Sequence, residues 1–341
     1  MKKLHLIPIV LLISLLSCSM FVSLSWGKSK PVVLRLGMAV NAETPQSKEL
    51  TKLAERFTKR AGPDYSMEYY SSQTLVPFPE SLDAVRTGAA EMMGWPPSAF
   101  SGDDSRLGAA ELPFITNSPE GNSQAAKQLE AVLNSVLEET FNQKVLGSFS
   151  VSSNELISKK PVKKLEDWKG LLVQSLSPQI TGIIKALGGS PVSIPFPDAY
   201  QSLEKGVVDA VIVAPSGMYS FKLQEVASYI TTIFMCPGMT AITINMDVWN
   251  KMPKNIRDIL VKEVRASTDR LNKELADAYW SDLDRLKADG AEIYALPREE
   301  RDKWKKTVQP FTDKLLEKMR EAGQKTLQIA DDVNKQYPYS N

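Results

Sequence analysis

Histidine is almost missing from this chain: among 341 residues only His5 occurs. Everything after it is thereby excluded from Ser-His-Asp and Cys-His catalysis, from histidine-based metal sites and from most general-base chemistry near neutral pH. Cysteine is nearly as scarce, at Cys18 and Cys236 only. With Cys18 in a leader segment, one thiol remains, which makes no intrachain disulfide and no cysteine-rich metal centre. Neither Gly-x-Gly-x-x-Gly nor Gly-x-x-x-x-Gly-Lys occurs, so the glycine loops that cradle dinucleotides and phosphates are absent. An excess of one charge is also lacking. The 41 basic residues face 40 acidic ones with no basic cluster, which argues against a nucleic-acid partner. No cofactor and no metal is expected, and small-molecule binding is the economical reading.

What is present begins with the leader. Lys2 and Lys3 precede an apolar run from Leu4 to Trp26 without an acid. That is the layout of a bacterial export signal, and residues 1–27 are read as a cleaved signal peptide with a periplasmic destination. The run is also long enough to be a retained anchor. Leu15-Leu16-Ser17-Cys18 resembles a lipoprotein box, so lipidation at Cys18 ranks as the second choice. Past residue 30 no stretch resembles a membrane span, and the remainder suffices for two domains of ordinary size.

Strand and helix patterns alternate along the rest, which predicts an α/β architecture. Val32–Ala39 reads as a buried strand. Thr44-Pro45 caps a helix to about Lys59. Extended runs are expected at Ser228–Met235 and Met239–Asn245. Two long C-terminal helices are expected from Asn255 to Ala288 and from Arg298 to Lys335, the second bent or broken at Pro310.

One feature goes beyond pattern. Pro77–Ser98 aligns without gaps on Pro195–Ser216, with six identities in 22 positions. Both begin Pro-Phe-Pro-acid, run a helix into Gly88 or Gly206, place Glu91 or Asp209 three residues later, and leave the next strand through Pro-Ser. The reading is that each of two lobes carries the same unit. Trp95 and Val213 would then end strands that face each other across a cleft, where ligands of open α/β sheets bind.

These residues carry a resemblance. Leu34-Arg35-Leu36-Gly37-Met38, Ala84–Glu91, Lys160-Pro161-Val162 with Leu165–Leu171, Ala186–Val192, Tyr200–Leu203, Gly206–Asp209 and Val248-Trp249 to Met252-Pro253 follow one another in a familiar order. The chain resembles the extracytoplasmic solute receptors of tripartite ATP-independent periplasmic (TRAP) transporters, of the dicarboxylate-receptor type. The resemblance implies a two-lobed, hinge-closing periplasmic-binding-protein-like fold braced by a long helix within 255–288. It also implies a monomer that captures a small organic ligand and docks on TRAP membrane permease subunits. The lobes would be 28–151 plus 240–279 and 152–239 plus 280–341.

The resemblance also marks departures. Most family members hold a substrate carboxylate with an arginine where this chain has Gln174. Some carry a second arginine where it has Asn154, and an asparagine where it has Ala214 after Val213. Phe196 matches a position that packs on the ligand. Asn41 lies just past the first strand, Ser98 and Ser216 follow the paired prolines, and Phe234 is placed at the cleft edge. These nine residues, with Trp95, are the candidate ligand contacts, for an organic acid or a neutral or aromatic analogue. A ligand sensor acting on a membrane receptor is the alternative. A carboxylate enzyme is disfavoured, because Glu91 and Asp209 start their strands at the end away from the cleft.

Overall fold

The fold is described from a computed structural model over residues 31–339. The leader and Cys18 lie outside the described residues. Nine strands form one sheet: β1 Val32–Met38, β2 Tyr65–Tyr70, β3 Met92–Trp95, β4 Gln143–Ser158, β5 Leu172–Ser175, β6 Ser190–Ser193, β7 Ala210–Val213, β8 Tyr229–Asn245 and β9 Glu292–Ala295. Their order is β2-β1-β3-β8-β4-β7-β5-β6, with β9 beside β8. The order reads the same from both ends. Each half has three parallel strands whose inner member runs antiparallel to a long central strand: β3 to β8, and β7 to β4. The inner strands are apolar because helices cover both faces.

The helices are α1 Pro45–Ala61, α2 Ser81–Thr87, α3 Pro119–Thr140, α4 Pro178–Leu187, α5 Ala199–Glu204, α6 Pro215–Ser220, α7 Met246–Lys251, α8 Lys254–Ala288, α9 Arg298–Met319 and α10 Glu321–Gln336. Helix α1 shows the local logic. The Thr44 hydroxyl accepts from the Ser47 N–H, Pro45 occupies the first turn, and Leu50, Leu53, Ala54 and Phe57 form the buried stripe. Helix α8 has 35 residues, about 52 Å at 1.5 Å per residue. Its Ile256, Leu260 and Val264 join the core that holds Leu34 and Leu36 of β1, whereas Tyr279, Leu283 and Leu286 join the core that holds Val211 of β7. One rigid element thus braces both lobes. Among the described residues no helix is long and apolar enough to cross a membrane.

Two expectations from the pattern are corrected. Pro310 does not break the last helix. Helix α9 runs through it, because the carbonyl left without a partner lies on the exposed face, where water satisfies it. The break falls instead at Arg320, whose φ of 53° is left-handed. Helix α10 then turns back onto α3, adding Ala322 and Val333 to a core with Leu129 and Val136. The two extended runs around Pro237-Gly238 are one continuous strand, β8. Pro237 pairs with Ser153 beside a register shift in β4, a place where the ladder tolerates proline.

Among the described residues, β4 and β8 are the only strands that serve both halves of the sheet, and their pairing is irregular. Phe114, Ser152 and Phe234 all have positive φ, at 56°, 81° and 46°. Two buried ionisable side chains, Glu155 and Arg301, hold this region. The Glu155 carboxylate accepts the backbone N–H groups of Ile233 and Phe234 and the Tyr279 hydroxyl. From the other side Arg301 donates to the carbonyls of Ile233 at 2.8 Å, Phe234 at 3.2 Å and Thr116 at 2.8 Å. Its guanidinium is also covered by the Tyr339 ring at 4.7 Å.

Candidate ligand site

The repeated unit is repeated in space. Its short helical turns at Phe78–Glu80 and Phe196–Asp198, its strands at Met92–Trp95 and Ala210–Val213, and its exit turns at Pro97 and Pro215 share one offset. Gly88 and Gly206 take φ of 78° and 73°, which only glycine adopts at no cost. The acids that follow do the same work. Glu91 accepts the backbone N–H of Arg35 at 3.0 Å, and Asp209 accepts that of Leu172 at 3.0 Å. Each satisfies a backbone donor of the neighbouring parallel strand. Glu91 also grips the Arg35 guanidinium at 2.7 Å. The two acids therefore sit at the strand starts, engaged in structure.

The other ends of β1, β3, β5 and β7 carry the candidate contacts. Trp95 is fully buried. Its indole N–H donates to the Thr243 hydroxyl at 2.9 Å, and its ring meets the edge of Phe100 at 5.3 Å. It is a core residue of its lobe rather than an open wall. Phe234 is also core, set between Tyr279 and Tyr339, at the positive-φ kink of β8. Asn41 is exposed, and its side chain accepts the Glu43 N–H in the turn before α1. The two serines of the repeat part company: Ser98 is buried and Ser216 exposed. Half-buried Phe196 stacks edgewise on Phe221 at 4.5 Å, over Gly217 and beside Val213. Ala214 precedes α6.

Two further polar candidates lie on β4 and β5. Asn154 donates to the Cys236 sulfur at 3.6 Å across the β4–β8 ladder. Burial pushes that thiol well up, and the nearby Glu111 carboxyl adds to the effect. Gln174 is buried, and its NH2 group donates to the carbonyls of Ile194 at 2.9 Å and Pro195 at 3.1 Å. Two carbonyl partners fix which amide atom is nitrogen. The Gln174 Oε1 that remains is buried without a partner.

Glu111 was not singled out from the sequence. It ends a helical turn at Ser105–Glu111 and lies beside Ser98, in the turn after β3, and Ser177, the cap of α4. The Ser177 hydroxyl lies 3.3 Å from its Oε2. Burial pushes the Glu111 carboxyl up to about 7, against the two serine hydrogen bonds. Nearby, the Ser101 hydroxyl donates to the Gln179 side-chain oxygen at 3.0 Å. The signal available in the sequence was an acid embedded in an apolar run, Leu107 to Ile115. Such an acid is expensive to bury and needs a reason.

This architecture has known counterparts. Residues 36–332 match the bacterial extracellular solute-binding proteins of family 7, DctP. The chain belongs to that family. A C4-dicarboxylate-binding periplasmic protein of Rhodobacter capsulatus is 27% identical over 306 residues, covering 85% of this chain and 88% of its own. A Bordetella pertussis extracytoplasmic solute receptor binding pyroglutamic acid superposes with a TM-score of 0.81 at 16% identity, covering 88% of this chain and 99% of its own. A TRAP periplasmic solute-binding protein of Desulfovibrio salexigens with bound orotic acid does so at 0.79 and 18%, covering 89% and 99%. The DctP receptors are substrate-binding subunits of TRAP transporters, not enzymes, and this chain is a TRAP solute receptor for a small organic solute.

Proposed function

We propose that this TRAP receptor captures a solute other than a simple C4-dicarboxylate. The observation that carries the reading is Gln174. At the position where the family resemblance places a carboxylate-gripping arginine, this chain has a neutral amide whose donors are already spent on Ile194 and Pro195. An unpaired carboxylate leaving water is costly, and a bidentate guanidinium is the usual answer to that cost. Asn154, engaged with Cys236, offers no charge either. The ligand is neutral at this end, with an apolar or ring-shaped face against Phe196 and Val213.

The lobes, 28–151 plus 240–279 and 152–239 plus 280–341, close about the β4–β8 crossing, with Ser98, Asn154, Gln174 and Ala214 turned toward the ligand. The leader at 1–27 directs export, and the mature receptor acts as a monomer that delivers its load to the membrane permease subunits. Small-angle scattering tests the receptor reading. Saturation with a stabilising solute is expected to lower the radius of gyration. An unchanged value under saturation would count against it. A thermal-shift comparison of C4-dicarboxylates with neutral and aromatic solutes tests the ligand class, and strong stabilisation by succinate or malate would refute it.

A further inference from the structure

We propose that the second repeated unit presents an aromatic platform to the solute: Phe196 and Phe221 select a planar ring, and Gln174 is the positioning residue that holds Phe196 in place. The inference rests on the receptor reading above and names the ligand chemistry of that same site.

The first observation is a difference between the two units. In the first, Phe78 packs on Phe100 at 5.7 Å, and Trp95 closes the group by meeting Phe100 edge-on at 5.3 Å. Trp95 and Phe100 are both buried as a result. In the second unit the residue aligned with Trp95 is Val213. Phe196 meets Phe221 at 4.5 Å, and among the described residues no third ring is stacked on this pair. Phe196 is half-buried, and Phe221 stays 38% exposed. Aromatic surface left in water gains by being covered, best by the edge or offset face of another ring. A solute ring here takes the part that Trp95 plays in the first unit.

The second is where the pair lies. Val213 ends β7, and ligands of open α/β sheets bind at the carboxyl ends of strands. A Cβ at Gly217 would lie 2.6 Å from Val213 Cγ2 and 3.5 Å from Phe196 Cζ, so this glycine lets both side chains rest on the first turn of α6. Of the seven exposed large apolar side chains among the described residues, Leu176, Tyr219 and Phe221 follow the carboxyl ends of β5 and β7. Exposed apolar surface is thus concentrated at those two ends, which marks a binding face. Tyr219 already has the Arg285 guanidinium over its ring at 5.7 Å, which leaves Phe221 for a ligand.

The third is what Gln174 holds. Its NH2 group donates to the carbonyls of Ile194 and Pro195, the two residues just before Phe196. Pro195 adds a fixed φ of −55°. The first unit fastens its own turn in a similar way: the Gln73 side-chain oxygen accepts the Phe78 N–H at 2.8 Å. Gln174 therefore acts on the solute through Phe196.

The test uses matched compounds that differ only in the ring. Titration calorimetry compares benzamide with cyclohexanecarboxamide, and benzoate with cyclohexanecarboxylate, on the mature protein, Phe221→Leu, Phe221→Tyr and Gln174→Met. The parent is expected to bind the aromatic member of at least one pair about threefold to tenfold more tightly, the worth of one edge-to-face contact. Phe221→Leu keeps apolar bulk without a π face, and the ratio is expected to fall to about one; Phe221→Tyr is expected to restore it. Gln174→Met keeps the side-chain length without the donors, and the ratio is expected to fall there too. Cooperative unfolding of each unliganded variant controls for folding, and position 221, being exposed, tolerates substitution. Equal affinity within both pairs, a preference for the saturated ring, a ratio unchanged in Phe221→Leu or in Gln174→Met, or no binding of either aromatic compound overturns the proposal. Scattering separates the two levels. If succinate or a saturated solute compacts the protein while neither aromatic compound is preferred, the receptor reading stands and this inference falls. If a stabilising compound leaves the radius of gyration unchanged, it is the receptor reading that fails.

Discussion

The Glu155 carboxylate accepts the backbone N–H of Phe234 at 3.0 Å, and so fastens β4 to the left-handed kink of β8. Burial pushes this carboxyl up to about 7, against those hydrogen bonds, and Glu111 is raised to about the same value. Both groups then hold protons in the folded chain over a range where the unfolded chain, with glutamate near ~4.3, has released them. Their contribution to stability is complete below the unfolded value and is lost as pH rises through about 7. Denaturant unfolding at pH 5, 6, 7 and 8 is expected to show stability falling over that window, by up to ~1.4 kcal/mol per pH unit for each group. Glu155→Gln is expected to flatten the slope. A stability that climbs from pH 5 to pH 7 in the parent would contradict this account.

Trp95 gives a prediction about fluorescence. Its ring is fully buried and its N–H is spent on Thr243. Trp95→Phe is expected to cost ~1–3 kcal/mol through the lost packing and the buried hydroxyl left short of a partner. Because the ring is core, any ligand-induced change in intrinsic fluorescence is expected to survive the substitution. A signal abolished in Trp95→Phe, with the fold intact, would put the indole against the ligand after all.

The paired acids make a third prediction. Asp209 satisfies one strand N–H, at Leu172, whereas Glu91 satisfies the Arg35 N–H and its guanidinium as well. Asp209→Ala is expected to cost ~1–2 kcal/mol. Glu91→Ala is expected to cost more, since it also leaves Arg35 without its carboxylate partner. Ligand affinity should stay within a few-fold in both variants, measured by calorimetry on the folded protein. Loss of binding in Asp209→Ala without loss of stability would show that the acid serves the site.

How much of this was legible in the sequence depends on what each feature needs. The repeated units were readable because glycine and proline punctuate them: Gly88 and Gly206 require positive φ, and Pro77 and Pro195 start the helical turns. The end of α9 was not, since Arg320 adopts a left-handed conformation that its residue type does not announce, while Pro310 announces a break that solvent makes unnecessary. Strand β8 hid behind Pro237 and Gly238, which only the bulge in β4 accommodates. At the site, Gln174 was visible as a departure, but its polarity was not. Which end of the amide is left without a partner is decided by the Ile194 and Pro195 carbonyls. Glu111 acquires its meaning from Ser177, 66 residues away.

The last prediction concerns restoring a carboxylate site. An arginine at position 174 brings five donors. Two can replace the amide bonds to Ile194 and Pro195, which leaves three for a ligand carboxylate. Gln174→Arg is therefore expected to raise succinate affinity by ~10-fold or more over the parent, the worth of a charge-assisted bidentate pair. Titration calorimetry of the parent and the variant measures the gain, and cooperative unfolding of the unliganded variant controls for folding. Succinate binding no tighter in a folded Gln174→Arg than in the parent would show that position 174 does not meet the ligand carboxylate.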